Sequence, residues 1–585
     1  MKKIIFTLVF AFMLSVFCFK LNASAITSYS TASTISFGEQ YSSSLPNYST
    51  KHFYKISLVA DGQIKVAMKN KTGSQWTVSV HDSNGNFIDN FETDDSEFAS
   101  GSDYVKVGLA KGTYYIIVEN EDDASGVTYQ FDVNFTESPY FEKEFNDSVS
   151  TANAIALNKT YKGTISSSQD EDFYKVVLPK SGNIKIQIKN LANSEWRGDF
   201  LNASGKVLTS IYSDDSELVK GYSTVEVGLP KGTYYFKLHS GKYNAEYAFK
   251  LNYQQSEYFE KEQNDTITSA NKIALNQYYQ GTLQHNSDED FYKFTLTTPG
   301  TVNLSLSTLP NSKWYVHLQN AKGEVYDYFY TSDSELVKGR ASVNISLPKG
   351  TYYILVDGYS NTTDLPYTLK ASFKASKTAY EKEFNNTLTT ATPIKLNTNI
   401  TGVINNQNDS DVDFYRFTVP ATSNVRIRMS QKSNVRWYTS LYNSQGSLIH
   451  DQYTDSSELV KGNSFTTLRL KKGTYYYRVS NYDSAKWELY NFNIYLSTSP
   501  LSAKSITVKN YPNKHDRVTV KGVRKGSVVT IYNAKSKKIA SATSKGTSVT
   551  LSIKQLGKKA GKIKVTVKDP GKAVSGTTVV KFAKE

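Results

Sequence analysis

Cysteine is nearly missing from this chain: Cys18 is the only one in 585 residues. It lies within an N-terminal apolar run, so a mature chain without that run has no thiol and can use neither disulfides nor thiolate metal ligands. Histidine is also scarce. The seven, at 52, 81, 239, 285, 317, 450 and 515, are scattered and form no His-Glu-x-x-His pair. A Gly-x-Ser-x-Gly elbow and a P-loop are absent too, which argues against the common hydrolase and nucleotide chemistries. Beyond residue 19, no stretch approaches the roughly 20 apolar residues that cross a bilayer, so no transmembrane segment is expected. Long amphipathic helical patterns are lacking as well.

The first 25 residues read as a secretory signal peptide: Lys2 and Lys3, an apolar run from Ile4 to Phe19, then Ala23-Ser24-Ala25 as a small-residue cleavage site. Phe17 ahead of Cys18 does not suit a lipidation site. The chain ends in Lys584-Glu585 with no Leu-Pro-x-Thr-Gly signal, so covalent wall attachment is not expected. Localisation is therefore read as secreted, extracellular or cell-wall associated, in the manner of a Gram-positive exported protein.

What the sequence has is repetition. Tyr140-Phe-Glu-Lys-Glu-Phe-Asn-Asp147 returns as Tyr258-Phe-Glu-Lys-Glu-Gln-Asn-Asp265 and as Tyr380-Glu-Lys-Glu-Phe-Asn-Asn386. Trp76, Trp196, Trp314 and Trp437 recur at steps of 120, 118 and 123 residues, and a Lys-Gly-Thr-Tyr-Tyr word at Lys111, Lys231, Lys349 and Lys472 keeps the same steps. Such a period is domain-sized, so each copy should carry its own core. The boundaries read as 26–138, 139–256, 257–378 and 379–499, with a distinct module at 500–585.

Within each copy, apolar residues alternate with polar ones: Ile64, Val66 and Met68; Ile184, Ile186 and Ile188; Val302, Leu304 and Leu306; Val425, Ile427 and Met429. A period of two means strands with one buried face. Asn84-Gly85, Ser204-Gly205, Lys322-Gly323 and Gln445-Gly446 read as turns between strands. The Lys-Gly-Thr-Tyr-Tyr word reads as a hairpin, with Gly232 taking the positive φ of a tight turn. The four tryptophans suit a core position or a ligand platform. An Asp-Ser-Glu word at Asp95, Asp215 and Asp333, and Ser-Ser-Glu at Ser456, reads as a turn. The fold class expected is all-β: four tandem jelly-roll β-sandwiches followed by a small basic Ig-like β domain.

The order Glu-x-Glu-x-Asn-Asp, Ala-x-x-Ile, Asp-x-Asp-Phe-Tyr and Gly-Thr-Tyr-Tyr resembles the bacterial pre-peptidase C-terminal domain, a family that includes the collagen-binding domains of clostridial collagenases. The likeness covers about 139–499 well and 26–138 only through its later strands. In the second copy Glu142, Glu144, Asn146 and Asp147 precede Asp170 and Asp172; in the third Glu260, Glu262, Asn264 and Asp265 precede Asp288 and Asp290. From Asp147 to Asp170 and from Asp265 to Asp288 the spacing is 23 residues. Carboxylate and amide oxygens gathered from two segments are what a hard cation with six to eight oxygen ligands asks for, and calcium fits best. The alternative is a solvated acidic linker whose Asn and Asp cap a turn. The resemblance implies that each named residue is a calcium ligand. In the fourth copy Glu381, Glu383, Asn385, Asp411 and Asp413 remain but Asn386 replaces the last Asp, so a weaker site is expected. The first copy has Thr50 and His52 where Asp170 and Asp172 stand, and no calcium is expected there.

From residue 501 on there are 20 Lys plus Arg against 3 acids, a balance of +17; taking this and the leader's three lysines from the whole-chain +14 leaves −6 for 26–500. Runs such as Val518-Thr-Val-Lys and Lys562-Ile-Lys-Val-Thr-Val suggest a small β module, similar to Ig-like modules of Gram-positive surface proteins. Its charge suits anionic cell-wall polymers, with no motif for sequence-specific nucleic-acid binding. The reading chosen is a secreted, noncatalytic cell-surface or matrix binding protein for an extracellular protein or polysaccharide. A carbohydrate-recognition protein, favoured if exposed aromatics line one sheet, or an accessory factor of a secreted peptidase are the alternatives; a cryptic hydrolase would need measured turnover.

Overall fold

The computed structural model describes residues 20–21, 28–47, 49–69, 75–93, 104–121, 126–167, 169–191, 195–213, 220–242, 245–307, 312–331, 341–360, 362–376, 379–404, 411–429, 436–454, 465–481 and 488–585. They form two compact units, one of residues up to 265 with 279–290 and 361–367, the other of 266–278 with 291–360 and 368–585. Strands arranged in ten sheets make up the regular structure, and no α-helix occurs among the described residues. The Asp-Ser-Glu words and the cleavage site lie outside the described residues.

The first unit opens with a two-sheet sandwich. One sheet orders Ser33–Thr34, Lys51–Leu58, Gly112–Asn120, Trp76–His81 and Phe87–Thr93; the other orders Gln40–Leu45, Val127–Glu137, Gly62–Met68 and Tyr104–Leu109, with Lys20–Leu21 added in parallel beside Gln40–Leu45. The second sandwich repeats this with Asn153–Ala154, Asp172–Leu178, Gly232–Ser240, Trp196–Asn202 and Val207–Ser213 facing Thr160–Ile165, Ala245–Gln255, Gly182–Lys189 and Tyr222–Leu229. In the second unit the same order runs from Thr392–Pro393 to Leu448–Tyr453 and from Ala379–Tyr380 to Phe465–Leu470. Ladders of Gly300–Ser307 with Ala341–Leu347, and of Lys313–Gln319 with Val325–Tyr330, keep that pattern in the third copy.

The alternation seen in the sequence sets which face is buried. Ile184, Ile186 and Ile188 enter one core with Trp196 and Phe249, and Ile64, Val66 and Met68 enter another with Trp76. All four recurrent tryptophans are at most 2% exposed, so they are core residues and not ligand platforms. Truncating one such side chain to Ala would cost about 3–5 kcal/mol through lost burial and a cavity. The turns at Gly85, Gly205, Gly323 and Gly446 have positive φ and join paired strands, as expected.

The Lys-Gly-Thr-Tyr-Tyr word does not form the expected hairpin. Tyr222–Leu229 pairs with Gly182–Lys189 in one sheet, whereas Gly232–Ser240 pairs with Asp172–Leu178 and Trp196–Asn202 in the other. The chain crosses between sheets here, so the turn is wide and Gly232 stays out of the positive-φ region. The corner is held instead by tyrosine: Tyr234 Oη donates to Pro230 O at 2.9 Å, and Tyr114, Tyr352 and Tyr475 repeat the bond to Ala110, Pro348 and Lys471.

The C-terminal module packs Ile506–Lys509, Asp516–Lys521 and Ser548–Ile553 against Lys538–Thr543, Val528–Tyr532, Gly561–Lys568 and Thr578–Phe582. Its core is aliphatic, with Val518, Val520, Val529, Ile531 and Val565 fully covered. Asp516 is buried and accepts from Tyr511 N, while every Lys and Arg from 504 to 584 except Lys564 and Lys572 is exposed. The positive charge therefore faces water.

Candidate metal centres

Each acidic segment lies between two sandwiches and is held by backbone contacts at both ends. Glu142 N donates to Lys162 O at 2.9 Å, and Glu144 N to Gly108 O at 3.2 Å. The peptide bonds Glu144–Phe145, Glu262–Gln263 and Glu383–Phe384 are all cis. Phe173 N donates to Asn146 O at 2.9 Å, which ties the segment to the strand carrying Asp172. These contacts join residues 20 to 36 positions apart.

In the second copy, oxygens of Glu142, Glu144 and Asp172 lie within 4.8 Å of one another, as do those of Glu144, Asp147 and Asp170. The third copy repeats both groups with Glu260, Glu262 and Asp290, and with Glu262, Asp265 and Asp288. Glu381, Glu383 and Asp413 form one such group in the fourth. There Asn386, with its amide nitrogen turned inward, donates to Asp411 Oδ1 at 3.2 Å and Val412 O at 3.0 Å in place of a carboxylate. The groups thus take in Glu142, Glu144, Asp147, Asp170 and Asp172, their five counterparts in the third copy, and Glu381, Glu383 and Asp413 in the fourth, but not Asp411.

Burial makes these clusters electrostatically costly. Glu142 and Asp172 are 0% exposed. Burial, then the Asp172 charge, pushes the Glu142 carboxyl well up; burial and then Asp170 lift Asp172 to about 8. Burial raises Asp170 to about 6, Asp288 to about 6, Asp290 to about 7 and Glu381 to about 7. Hydrogen bonds to the charged form, such as Thr164 N to Glu142 Oε1 at 2.6 Å, work in the opposite direction without cancelling desolvation. The nearby Lys143 pairs with Asp61, and no described Lys or Arg forms an ion pair with the five carboxylates of the second copy. Ionised carboxylates removed from water need a cation, a proton or strong pairing.

A set of buried oxygens points to the cation. Asn146 Oδ1 and Asn264 Oδ1, both 0% exposed, have no hydrogen-bond partner, while their amide nitrogens donate to Asp172 Oδ1 at 2.8 Å and to Asp290 Oδ1 at 2.9 Å. Asp170 Oδ1, Glu262 Oε1 and Asp413 Oδ1 are equally unpartnered. A buried acceptor left unsatisfied costs about 1–3 kcal/mol. Donor sets made only of carboxylate and amide oxygen suit a hard cation and not a thiophilic or imidazole-preferring one. These clusters could hold a metal ion.

Sequence reasoning missed the tyrosine that closes each site. Tyr247 Oη lies 2.8 Å from Glu142 Oε2 and 2.6 Å from Asp172 Oδ2, and Tyr174 Oη hydrogen-bonds Tyr247 Oη. Tyr367 in the third copy lies 2.6 Å from Asp290 Oδ2, and Tyr490 in the fourth 2.5 Å from Asp413 Oδ2. Gly163 was missed as well: a Cβ there would stand 2.1 Å from Glu142 Oε2 and from Tyr247 Oη, and Gly281 and Gly402 are equally crowded. The recurring Tyr129, Tyr247, Tyr367 and Tyr490 were legible as a repeat, but nothing local tied them to a motif some 100 residues earlier.

A second feature lies on the outer face, one residue beyond each tryptophan. Arg197 stands over the ring of Tyr212 at 5.3 Å, and with His239 and Glu195 they border an open cavity of about 270 Å³. In the third copy Tyr315 packs edge-on against Tyr330 and Tyr359, which are 56% and 62% exposed. In the fourth, Tyr438 lies 4.7 Å from Tyr453, with Arg478 over it at 5.8 Å. The first copy places Thr77 between Glu92 and Glu119 instead.

The model of the bacterial pre-peptidase C-terminal domain matches residues 288–358 and 411–481, segments that begin at Asp288 and Asp411. Collagenase ColT from Clostridium tetani is 28% identical over 236 residues, which covers 38% of this chain and 23% of that protein. Collagenase ColA from Clostridium perfringens is 27% identical over 240 residues, covering 38% and 21%. Among solved structures, the pre-peptidase C-terminal domain of a collagenase from Bacillus anthracis is 19% identical at a TM-score of 0.15, over 18% of this chain and 94% of that one. The chain spans less than a quarter of the length of these curated relatives. The resemblance read from the motifs is borne out in the third and fourth copies, which carry pre-peptidase C-terminal segments.

Proposed function

We propose that this is a secreted, noncatalytic binding protein whose second, third and fourth sandwiches each hold calcium at the acidic clusters. The observation that carries the reading is the buried, unpartnered Asn146 and Asn264 side-chain oxygens beside the carboxylate clusters. Calcium supplies the missing charge and accepts the six to eight oxygens such a site offers. Its ligands are Glu142, Glu144, Asn146, Asp147, Asp170 and Asp172, with the matching residues of the third copy, and Glu381, Glu383, Asn385, Asp411 and Asp413 in the fourth. Noncatalytic action fits the absence of catalytic motifs from the sequence.

The sandwiches bind an extracellular protein or polysaccharide through the outer aromatic ladders, where tyrosine offers flat apolar area with a polar tip. The matched relatives are named collagenases, which makes a collagen-like protein one candidate ligand. The same ladders favour the carbohydrate-recognition reading. Repetition of weak modules raises avidity on a repetitive ligand. The exposed lysines of 500–585 associate with anionic envelope polymers through long-range attraction that salt weakens.

The test is calorimetric titration of calcium into the full chain, alongside Asp172→Asn. Saturable binding that the substitution diminishes supports the assignment; a chain silent to calcium removes it.

A further inference from the structure

The C-terminal module differs from the sandwiches in what stands opposite its strand lysines. In the second sandwich Lys185 lies opposite Glu226 and pairs with it at 3.0 Å. In the first, Lys51 lies opposite Glu119 and pairs with it; where Lys65 faces Lys106, Glu246 pairs with Lys106. In the module Lys562 stands directly opposite Lys581, and both are exposed. Like charges directly opposed across two strands destabilise the pair.

None of the module's three acids offsets that repulsion. Asp516 is buried, and Glu585 accepts a hydrogen bond from Gln555. Asp569 faces Arg524 and Lys572, and it lies seven residues beyond Lys562, about 24 Å along the strand direction.

The four-stranded sheet gathers more lysines beside the opposed pair. Ile531, Ile563 and Val565 enter the core, so Tyr532, Lys562 and Lys564 face outward. Lys538, Tyr532, Lys564 and Val579 stand in register across all four strands. Lys564 Nζ donates to Ser536 Oγ at 2.7 Å, which brings the turn carrying Lys535 and Lys537 to the same end of the sheet. Neighbouring strands are about 5 Å apart, so the lysines form a closely spaced row.

The composition of this row selects its ligand. All its cations are Lys, a compact point charge that suits the single negative charge of a phosphodiester, whereas the planar fork of Arg suits bidentate carboxylates. Beside the row, Thr530 and Ser541 hydroxyls bond each other at 3.0 Å. Tyr532 is the one aromatic side chain that these strands turn outward, so the face offers no platform for a run of stacked bases.

Resting on the envelope-association reading, we propose that this end of the four-stranded sheet is a docking track for a linear polymer of polyol phosphodiesters, with Lys562 and Lys581 holding neighbouring phosphates. The bound polymer supplies the negative charge that the opposed pair lacks. The remaining lysines of the module contribute long-range attraction and no defined contact.

The test is titration of poly(glycerol phosphate) into the full chain, into a Lys562→Gln, Lys581→Gln double variant, and into a Lys514→Gln, Lys521→Gln double variant altered by the same charge beside the opposite sheet. The first double variant should bind about thirtyfold more weakly, from about fivefold per lysine beside an anionic surface. The second should stay within about twofold of the parent chain, the scale of diffuse attraction. Hydrogen exchange in Gly561–Lys568 and Thr578–Phe582 of the first variant should be no faster than in the parent, because a repulsion has been removed. Faster exchange there would make the two lysines structural and overturn the track. Equal losses in both double variants would overturn it too, while leaving diffuse envelope association intact. A parent chain that does not bind the polymer would overturn both. An oligothymidylate of equal phosphate number that bound tighter than the polymer would overturn the polyol partner.

Discussion

The first and second sandwiches fill the same internal position with opposite chemistry. In the second, Tyr247 meets the buried carboxylates of Glu142 and Asp172. In the first, Tyr129 Oη meets His52 Nδ1 at 2.7 Å and Tyr54 Oη at 2.5 Å, and Ser43 hydrogen-bonds Tyr54 from the position of Gly163. Burial holds His52 below its ordinary pKa, so it sits there neutral. One fold thus tolerates either a self-sufficient neutral network or an anionic one that is incomplete by itself. On the proposed reading, completion by a cation is what distinguishes the later copies.

The largest expected effect is metal removal. At a thousandfold excess over Kd, each bound calcium stabilises the folded state by about 4 kcal/mol. Scanning calorimetry in chelator should lower the transitions of the later sandwiches and leave that of the first in place. Next is His52→Asp, which buries a carboxylate with no neighbouring Glu to share a cation; it should destabilise the first sandwich by about 3 kcal/mol in denaturant titrations, with no rescue by calcium. Gly163→Ala places a methyl against Glu142 and Tyr247 and should cost about 1–3 kcal/mol along with calcium affinity, whereas Ser43→Gly should change stability by about 1 kcal/mol or less.

Acidity should act with opposite sign on the two buried networks. In chelator, Asp170 and Asp172 are raised to about 6 and about 8, above their unfolded values, so the folded state binds more protons between roughly pH 4 and 8. Stability of the second sandwich should therefore fall as pH rises through that window. His52 is lowered, so the unfolded state binds the extra proton and the His52 contribution should be lost as pH falls below roughly 6.5, opposed in the same sandwich by Asp89, which burial lifts to about 7. Hydrogen exchange at pH 5 and pH 8 would read both slopes. The smallest effect is Tyr359→Ala: an exposed side chain whose loss should alter stability by no more than about 0.5 kcal/mol while weakening ligand capture.

Much of this was legible in the sequence because the repeats supply internal comparison. Alternation at Ile184, Ile186 and Ile188 placed a strand and its buried face, and the acidic words marked residues that do come together. The hairpin assigned to Lys231-Gly232 was wrong because local turn chemistry cannot say whether the next strand joins the same sheet or the opposite one. Tyr247 and Gly163 escaped notice because their roles arise from pairing between distant strands: Gly163 lies opposite Tyr247 across the ladder. The reading of the outer tyrosines as binding residues required knowing which face they occupy.

The most direct measurement is hydrogen–deuterium exchange of the full chain with calcium and with chelator, read peptide by peptide. Protection gained with calcium should concentrate on Thr160–Ile165, Asp172–Leu178, Tyr278–Thr282, Glu289–Leu296, Asn399–Ile404 and Asp413–Val419, while Gln40–Leu45 and Lys51–Leu58 stay unchanged. Equal protection in both conditions throughout, or a gain in the first sandwich matching the rest, would contradict the claim that the acidic clusters are calcium sites.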